Sequence, residues 1–229
     1  MAPTNHQQHL FYAWRDRLVA ALMHEHVIVP EGASDSAWLE ALETAIELRQ
    51  DWESVTSEPT RFGTFVGVAP THDAKIAETY TIARAVHSRI SCLVDGDGEG
   101  LNYLAEVRGL PSPPAVLFVW PTDWAMEHVI AWIAAADSAQ SLPLLQAALD
   151  IPFPDTAALA AFLLQHKSYA PVHMAVAEIL AGVVACRVRA VELLNDIADV
   201  ARQAPGPRTH LSMWAAQSTP QTKVWRLKA

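Results

Sequence analysis

The feature that most constrains this chain is a repeated unit of short apolar run, polar turn and amphipathic stretch. His26 to Pro30, Gly63 to Ala69, Ile90 to Val94 and Ala115 to Val119 are the apolar runs. They stop at Glu31-Gly32-Ala33-Ser34-Asp35, Pro70-Thr71-His72-Asp73, Asp95-Gly96-Asp97-Gly98 and Trp120-Pro121-Thr122-Asp123-Trp124. Runs so short and so continuously apolar read as strands buried on both faces. Between them, Ala37 to Leu48, Ala74 to Val86 and Leu101 to Val107 carry apolar residues at helical spacing, as does Gln7 to His24 before the first strand. Strands alternating with helices imply right-handed crossovers, and so a mostly parallel sheet with helices on its faces.

Beyond Trp124 the pattern changes. Met126 to Ala136, Ser141 to Leu149, Asp155 to His166 and Val172 to Arg202 all read as helices, with no convincing strand among them. The expected organisation is an α/β domain over residues 1–123 and an all-α helical domain over 124–212. A tail over 213–229 follows, in which Thr222 to Leu227 is a candidate closing strand.

Composition narrows the function classes. A chain of 229 residues with 51% hydrophobic and 18% charged residues is a packed globular protein, not a disordered one. No apolar run has the length needed to span a bilayer, and Met1 to Gln8 is too polar for a signal peptide. Cys92 in a core strand and Cys186 in a helix read as buried free thiols in a reducing compartment, with cytoplasm the default. A net charge of −9 argues against strong nucleic-acid binding by this piece alone. It suits a site that neutralises its own acidity with divalent ions, or a fragment whose basic surface lies elsewhere.

In open α/β sheets, ligands bind outside the carboxyl ends of the strands. There the sequence concentrates acid: Glu31 and Asp35 after the first strand, Asp95 and Asp97 after the third, Glu127 beyond the fourth. Asp95-Gly96-Asp97 offers hard oxygen ligands of the kind Mg²⁺ prefers. Converging carboxylates repel unless cations sit between them. Two divalent ions about 3.5–4 Å apart are one solution, clamping the attacking and leaving oxygens of a phosphoryl displacement. Each acid also has an ordinary reading: Asp35 and Asp97 as helix caps, Glu31 as a loop residue, Glu127 as a structural partner on an amphipathic helix. His24, His26, His87 and His173 lack metal-like spacing, and no Gly-x-Ser-x-Gly elbow is present.

Val27 to Asp35 together with Leu93 to Gly100 resembles the paired motifs of a Toprim domain, the fold shared by topoisomerases, primases and some nucleases. In that resemblance Glu31 matches the family's glutamate, Asp95 and Asp97 its Asp-x-Asp, and Asp35 the extra acid of the nuclease branch. More narrowly, the chain is similar to the C-terminal catalytic region of overcoming-lysogenization-defect (OLD) family nucleases, class 2. Thr71-His72-Asp73-Ala74-Lys75, the Leu93 to Asp97 turn and the Trp120, Trp124, Glu127, Trp132 pattern carry it. The resemblance implies an ATPase domain preceding this piece and a full-length protein that forms homo-oligomers. No Gly-x-x-x-x-Gly-Lys-Ser/Thr loop is present here. It also implies an assisting lysine from the helical part, for which Lys167 is the candidate, with an ordinary exposed lysine as the alternative. Lys75 faces either the site or the solvent. Near Met174, where a further acid is expected, the sequence has His173-Met174, and no residue is carried over.

The leading expectation is a metal-dependent DNA endonuclease core. Glu31, Asp95 and Asp97 would hold one Mg²⁺ or Mn²⁺, and Asp35, with Glu31 or Glu127, a second; Ca²⁺ can occupy the same oxygens. Two rivals stand beside it. One is a strand-transfer enzyme acting through one of Tyr12, Tyr80, Tyr103 or Tyr169; the other is a non-catalytic metal-binding scaffold.

Overall fold

The computed structural model of the chain describes residues 4–49, 60–72, 74–202 and 222–228, with the backbone alone over 214–218. Its centre is a six-stranded sheet of order β2-β1-β3-β4-β6-β5. The strands are β1 (His26–Pro30), β2 (Val66–Val68), β3 (Ile90–Val94), β4 (Val116–Val119), β5 (Trp214–Ser218) and β6 (Lys223–Leu227). β2, β1, β3, β4 and β6 run parallel, and β5 closes the edge antiparallel to β6. The candidate closing strand in the tail therefore lies inside the sheet, against β4.

The helices are α1 (Asn5–Gln8), α2 (Arg15–Leu22), α3 (Ala33–Leu48), α4 (Phe62–Phe65), α5 (Ile76–Arg84) and α6 (Gly98–Arg108). Then come α7 (Met126–Ala134), α8 (Ser138–Leu149), α9 (Thr156–Gln165), α10 (Ala170–Gly182) and α11 (Val184–Ala201). Several differ from the sequence reading. The stretch from Gln7 to His24 is interrupted by a π-helical turn over His9–Ala13. Gly63 to Ala69, read as a strand, begins as the helical turn α4, leaving three residues for β2. Val172 to Arg202 is two helices that meet at Val183, whose φ of −91° and ψ of 116° are extended. The Thr56 to Thr60 connector lies outside the described residues except at Thr60, and so does Asp73.

Apolar residues alternate between the two faces of the sheet, as the pleat requires. Val27, Val29, Cys92, Val94, Leu117 and Val119 pack with Leu18, Ile76, Tyr80 and Val107 from α2, α5 and α6. Ile28, Leu93, Phe118 and Trp120 face the other way, into a cluster with Trp38 and Leu42 of α3. That second cluster continues without a break into Ile130, Leu159, Val176 and Leu194 of the later helices. The all-α part is thus a further layer on one face of the sheet, with α10 packed along α3. Both cysteines are buried and free, as read from the sequence. Among the described residues no helix is long and apolar enough to cross a membrane.

Candidate functional site

The register of β1 and β3 sets the site. Val29 pairs with Cys92 and Pro30 with Leu93, so the two chains leave the sheet level with each other. Glu31 and Asp95 are therefore neighbours, and the Asp95 backbone N–H donates to Glu31 Oε2 at 2.9 Å. Gly32 opens α3, and its N–H donates to Asp35 Oδ2 at 3.0 Å. Asp35 is thus the third residue of the helix reaching back, not the N-cap expected of it. Asp97 does cap: its Oδ1 accepts from Gly100 N–H at 2.8 Å at the start of α6.

The turn after β3 is stitched to the chain leaving β4. Gly96 N–H donates to the Trp124 carbonyl at 2.8 Å, and Asp123 N–H to the Gly96 carbonyl at 3.0 Å. A side chain at Gly96 would run into the Pro121 carbonyl, so the close approach demands glycine. Asp123 turns with a φ of 63°. This contact sends the chain into α7, whose Glu127 is 1% exposed and lies against the β1 turn. Ser34 Oγ donates to Glu127 Oε1 at 2.8 Å, and Lys167 Nζ lies 3.6 Å from Glu127 Oε2.

A cavity of about 420 Å³ opens here, at the carboxyl ends of β1 and β3. Glu31, Asp35, Asp95 and Asp97 all line it, and Lys167, Ser168 and His173 close it from the helical layer. Glu127 stands behind Ser34 and Lys167. The Thr71-His72 turn does not join this cavity: the His72 ring packs on Trp14, centroids 4.2 Å apart. Lys75 pairs with Glu78 at 3.4 Å and is not among the residues that line the cavity.

The acids are held in conflict. Burial, with repulsion from Asp97 and Glu99, pushes Glu31 up to about 7 against the pull of its hydrogen bond from Asp95. Burial raises Asp35, with Glu127 and Glu31 adding to it, and raises Asp95, with Asp35 and Glu31 adding to it. Asp95 Oδ1 is buried without a hydrogen-bond partner among the described residues. Such an atom costs free energy unless something meets it, and a hard cation is the partner its chemistry suits. Burial works against the Lys167 ammonium, but Glu127, Asp95 and Asp35 outweigh it and hold it above its ordinary value.

The donor set therefore fits a divalent ion in kind: carboxylate oxygens, one orphaned, around a shared cavity. It is not a preformed cage. Among the described residues no three His, Cys, Asp or Glu side chains are grouped to hold a metal as they stand. Glu31, Asp35, Asp97 and Glu127 each already accept a hydrogen bond from a backbone or side-chain donor of the protein itself.

Sequence reasoning gave no role at the site to Ser34, Glu99 or His173, and raised Tyr103 only as one of four rival strand-transfer nucleophiles. Ser34 sits between two candidate ligands, and Tyr103 follows Glu99 by one helical turn, its hydroxyl donating to Glu99 Oε1 at 2.6 Å. Those positions were a usable signal. His173 had none. It faces the cavity because α10 lies along α3, its ring centroid 4.3 Å from that of Trp38. Burial pulls its imidazole below the ordinary value, against the charge of Glu127 and the backbone of Lys167. Comparison of the chain with family models, with curated proteins and with solved structures finds no match.

Proposed function

We propose that the chain is the catalytic core of a divalent-metal-dependent DNA endonuclease that hydrolyses phosphodiester bonds on a Toprim-type fold. The observation that carries this reading is the meeting, in one cavity, of acids from two adjacent strand ends with a lysine from the helical layer. Their mutual repulsion and the orphaned Asp95 oxygen make a cation the natural missing partner. The sheet order β2-β1-β3-β4, with a glutamate after β1 and Asp-x-Asp after β3, supports the Toprim assignment. The preceding ATPase domain, the homo-oligomer, the OLD family itself and a cytoplasmic setting belong to the same reading.

Glu31, Asp95 and Asp97 would hold one ion and Asp35, with Glu31 or Glu127, the other. Bound there, divalent ions supply an acidified water and charge for the leaving oxygen. The residues of the chain do the rest. The Asp95 N–H fixes Glu31 at the cavity wall, and Ser34 fixes Glu127 behind it, both on rigid element ends. Lys167 brings the positive charge to offset what develops on the phosphate. The helical layer walls the opposite side, limiting the water that reaches the reacting groups.

Plasmid cleavage by the purified chain in EDTA, Mg²⁺, Mn²⁺ and Ca²⁺, beside Asp95→Ala, tests the proposal. Metal-dependent nicking or linearisation that disappears in the variant is the expected result. A folded chain that cleaves equally well in EDTA, or as Asp95→Ala, refutes it. One observation favours a second reading: Tyr103 lines the same cavity, as a strand-transfer tyrosine would. A protein–DNA adduct trapped with the native chain and absent from Tyr103→Phe would support that alternative.

A further inference from the structure

Lys167 lies on the connection between α9 and α10, on a flexible stem with its side chain 44% exposed. Its ion-pair contact among the described residues is long, 3.6 Å to Glu127 Oε2, while Glu127 is almost completely buried. The same ammonium interacts favourably with Glu31, Asp35 and Asp95. Among the described residues no arginine and no other lysine lines the cavity. A group of buried and half-buried carboxylates with one half-exposed cation beside it has a counter-ion already.

We propose that Lys167 is the resident counter-ion of the acidic cavity, competing with divalent metal for the same carboxylates and released toward the substrate phosphate when metal enters. This rests on the metal-dependent reading above and adds an order of events to it. Two cations cannot share the cavity without repulsion, so each weakens the other's hold on the acids. Glu127 is the contact exchanged: its Oε2 leaves Lys167, while Oε1 keeps Ser34. The freed ammonium then swings on its stem to the open side, where a phosphate has to lie. Metal loading and the appearance of a phosphate-binding cation are thereby coupled in one side chain.

The coupling has a counterintuitive sign. Removing Lys167 should tighten metal binding while it slows cleavage; a lysine serving only as scaffold would loosen metal binding when lost. The test is Mn²⁺ titration of the intact chain by calorimetry at low ionic strength, for the native protein, Lys167→Met, Lys167→Arg and Asp95→Ala. Lys167→Met is expected to bind Mn²⁺ about tenfold more tightly, the repulsion of one screened charge. Lys167→Arg keeps the charge and should stay close to the native affinity. Because the side chain is half exposed, both variants are expected to fold, which their melting curves verify. Lys167→Met binding Mn²⁺ no better than the native chain overturns the inference. If Asp95→Ala abolishes binding in the same series, the metal site stands and only the counter-ion role is lost. A folded native chain that binds no Mn²⁺ overturns the metal-dependent reading itself, and the inference with it.

Discussion

Replacing Glu31 by Gln should make this protein more stable, by an amount that depends on pH. Glu31 is held up to about 7 in the folded chain, chiefly by burial, against an ordinary value of 4.5. A carboxyl raised on folding keeps its proton more tightly in the native state than in the unfolded one. Its contribution is therefore fully present below pH 4.5 and is lost as pH rises through 7. Two and a half pH units at about 1.4 kcal/mol each give about 3 kcal/mol lost by pH 8, an upper figure because part of the side chain meets water. Gln carries no charge to desolvate, and its amide oxygen still accepts the Asp95 N–H. Urea denaturation in EDTA should show Glu31→Gln more stable by about 2–3 kcal/mol at pH 8, with the gain shrinking to a few tenths at pH 4. Glu43, which burial also pushes up to about 7, titrates in both proteins and cancels, while loss of the Glu31 charge also relieves Asp35 and Asp95 and adds to the gain in the same direction. A variant no more stable than native at pH 8, or a gain that does not shrink in acid, would refute the reasoning.

Other changes follow from the same geometry. Gly96→Ala drives a methyl into the Pro121 carbonyl and should cost about 1–3 kcal/mol, read as a lowered melting temperature. Ser34→Ala removes the hydrogen bond to buried Glu127 and should cost about 1–2 kcal/mol in urea denaturation, with metal affinity changed as well because Glu127 loses its anchor. Lys75→Ala removes the pair with Glu78, outside the cavity lining, and should leave both Mn²⁺ affinity and plasmid cleavage as they are; a large loss of either would bring Lys75 back into the site.

The sheet was legible because its strands are buried on both faces. That forces short, unbroken apolar runs such as Ile90 to Val94, and such runs have few other uses in a chain this size. Where tertiary contacts decide, the reading failed. Phe62 to Phe65 has strand-like side chains, yet Phe62 fills the cluster under α3 and the backbone turns to put it there. The break at Val183 carries no proline and follows a single glycine. It is required so that α10 can follow α3 while α11 crosses to α4 and α7.

For the site, the polar turns named the acids but not what each acid is doing. The spacing from Glu31 to Asp35 is the same whether Asp35 is a ligand or a residue reaching back to Gly32, and in the structure its Oδ2 does the latter. Only packing separates Asp95 from its neighbours: it is 6% exposed, with an oxygen that nothing in the described chain satisfies, whereas Asp97 spends one of its oxygens on a helix cap. The same contrast says where selection for stability alone would act first. A fold without a task would replace Glu31, Asp35 and Asp95 with neutral residues of similar shape, gaining stability at neutral pH at each position. That three such groups are kept together, facing one cavity and one lysine, is a cost the sheet does not need for its own folding. A cation entering that cavity is what would return it.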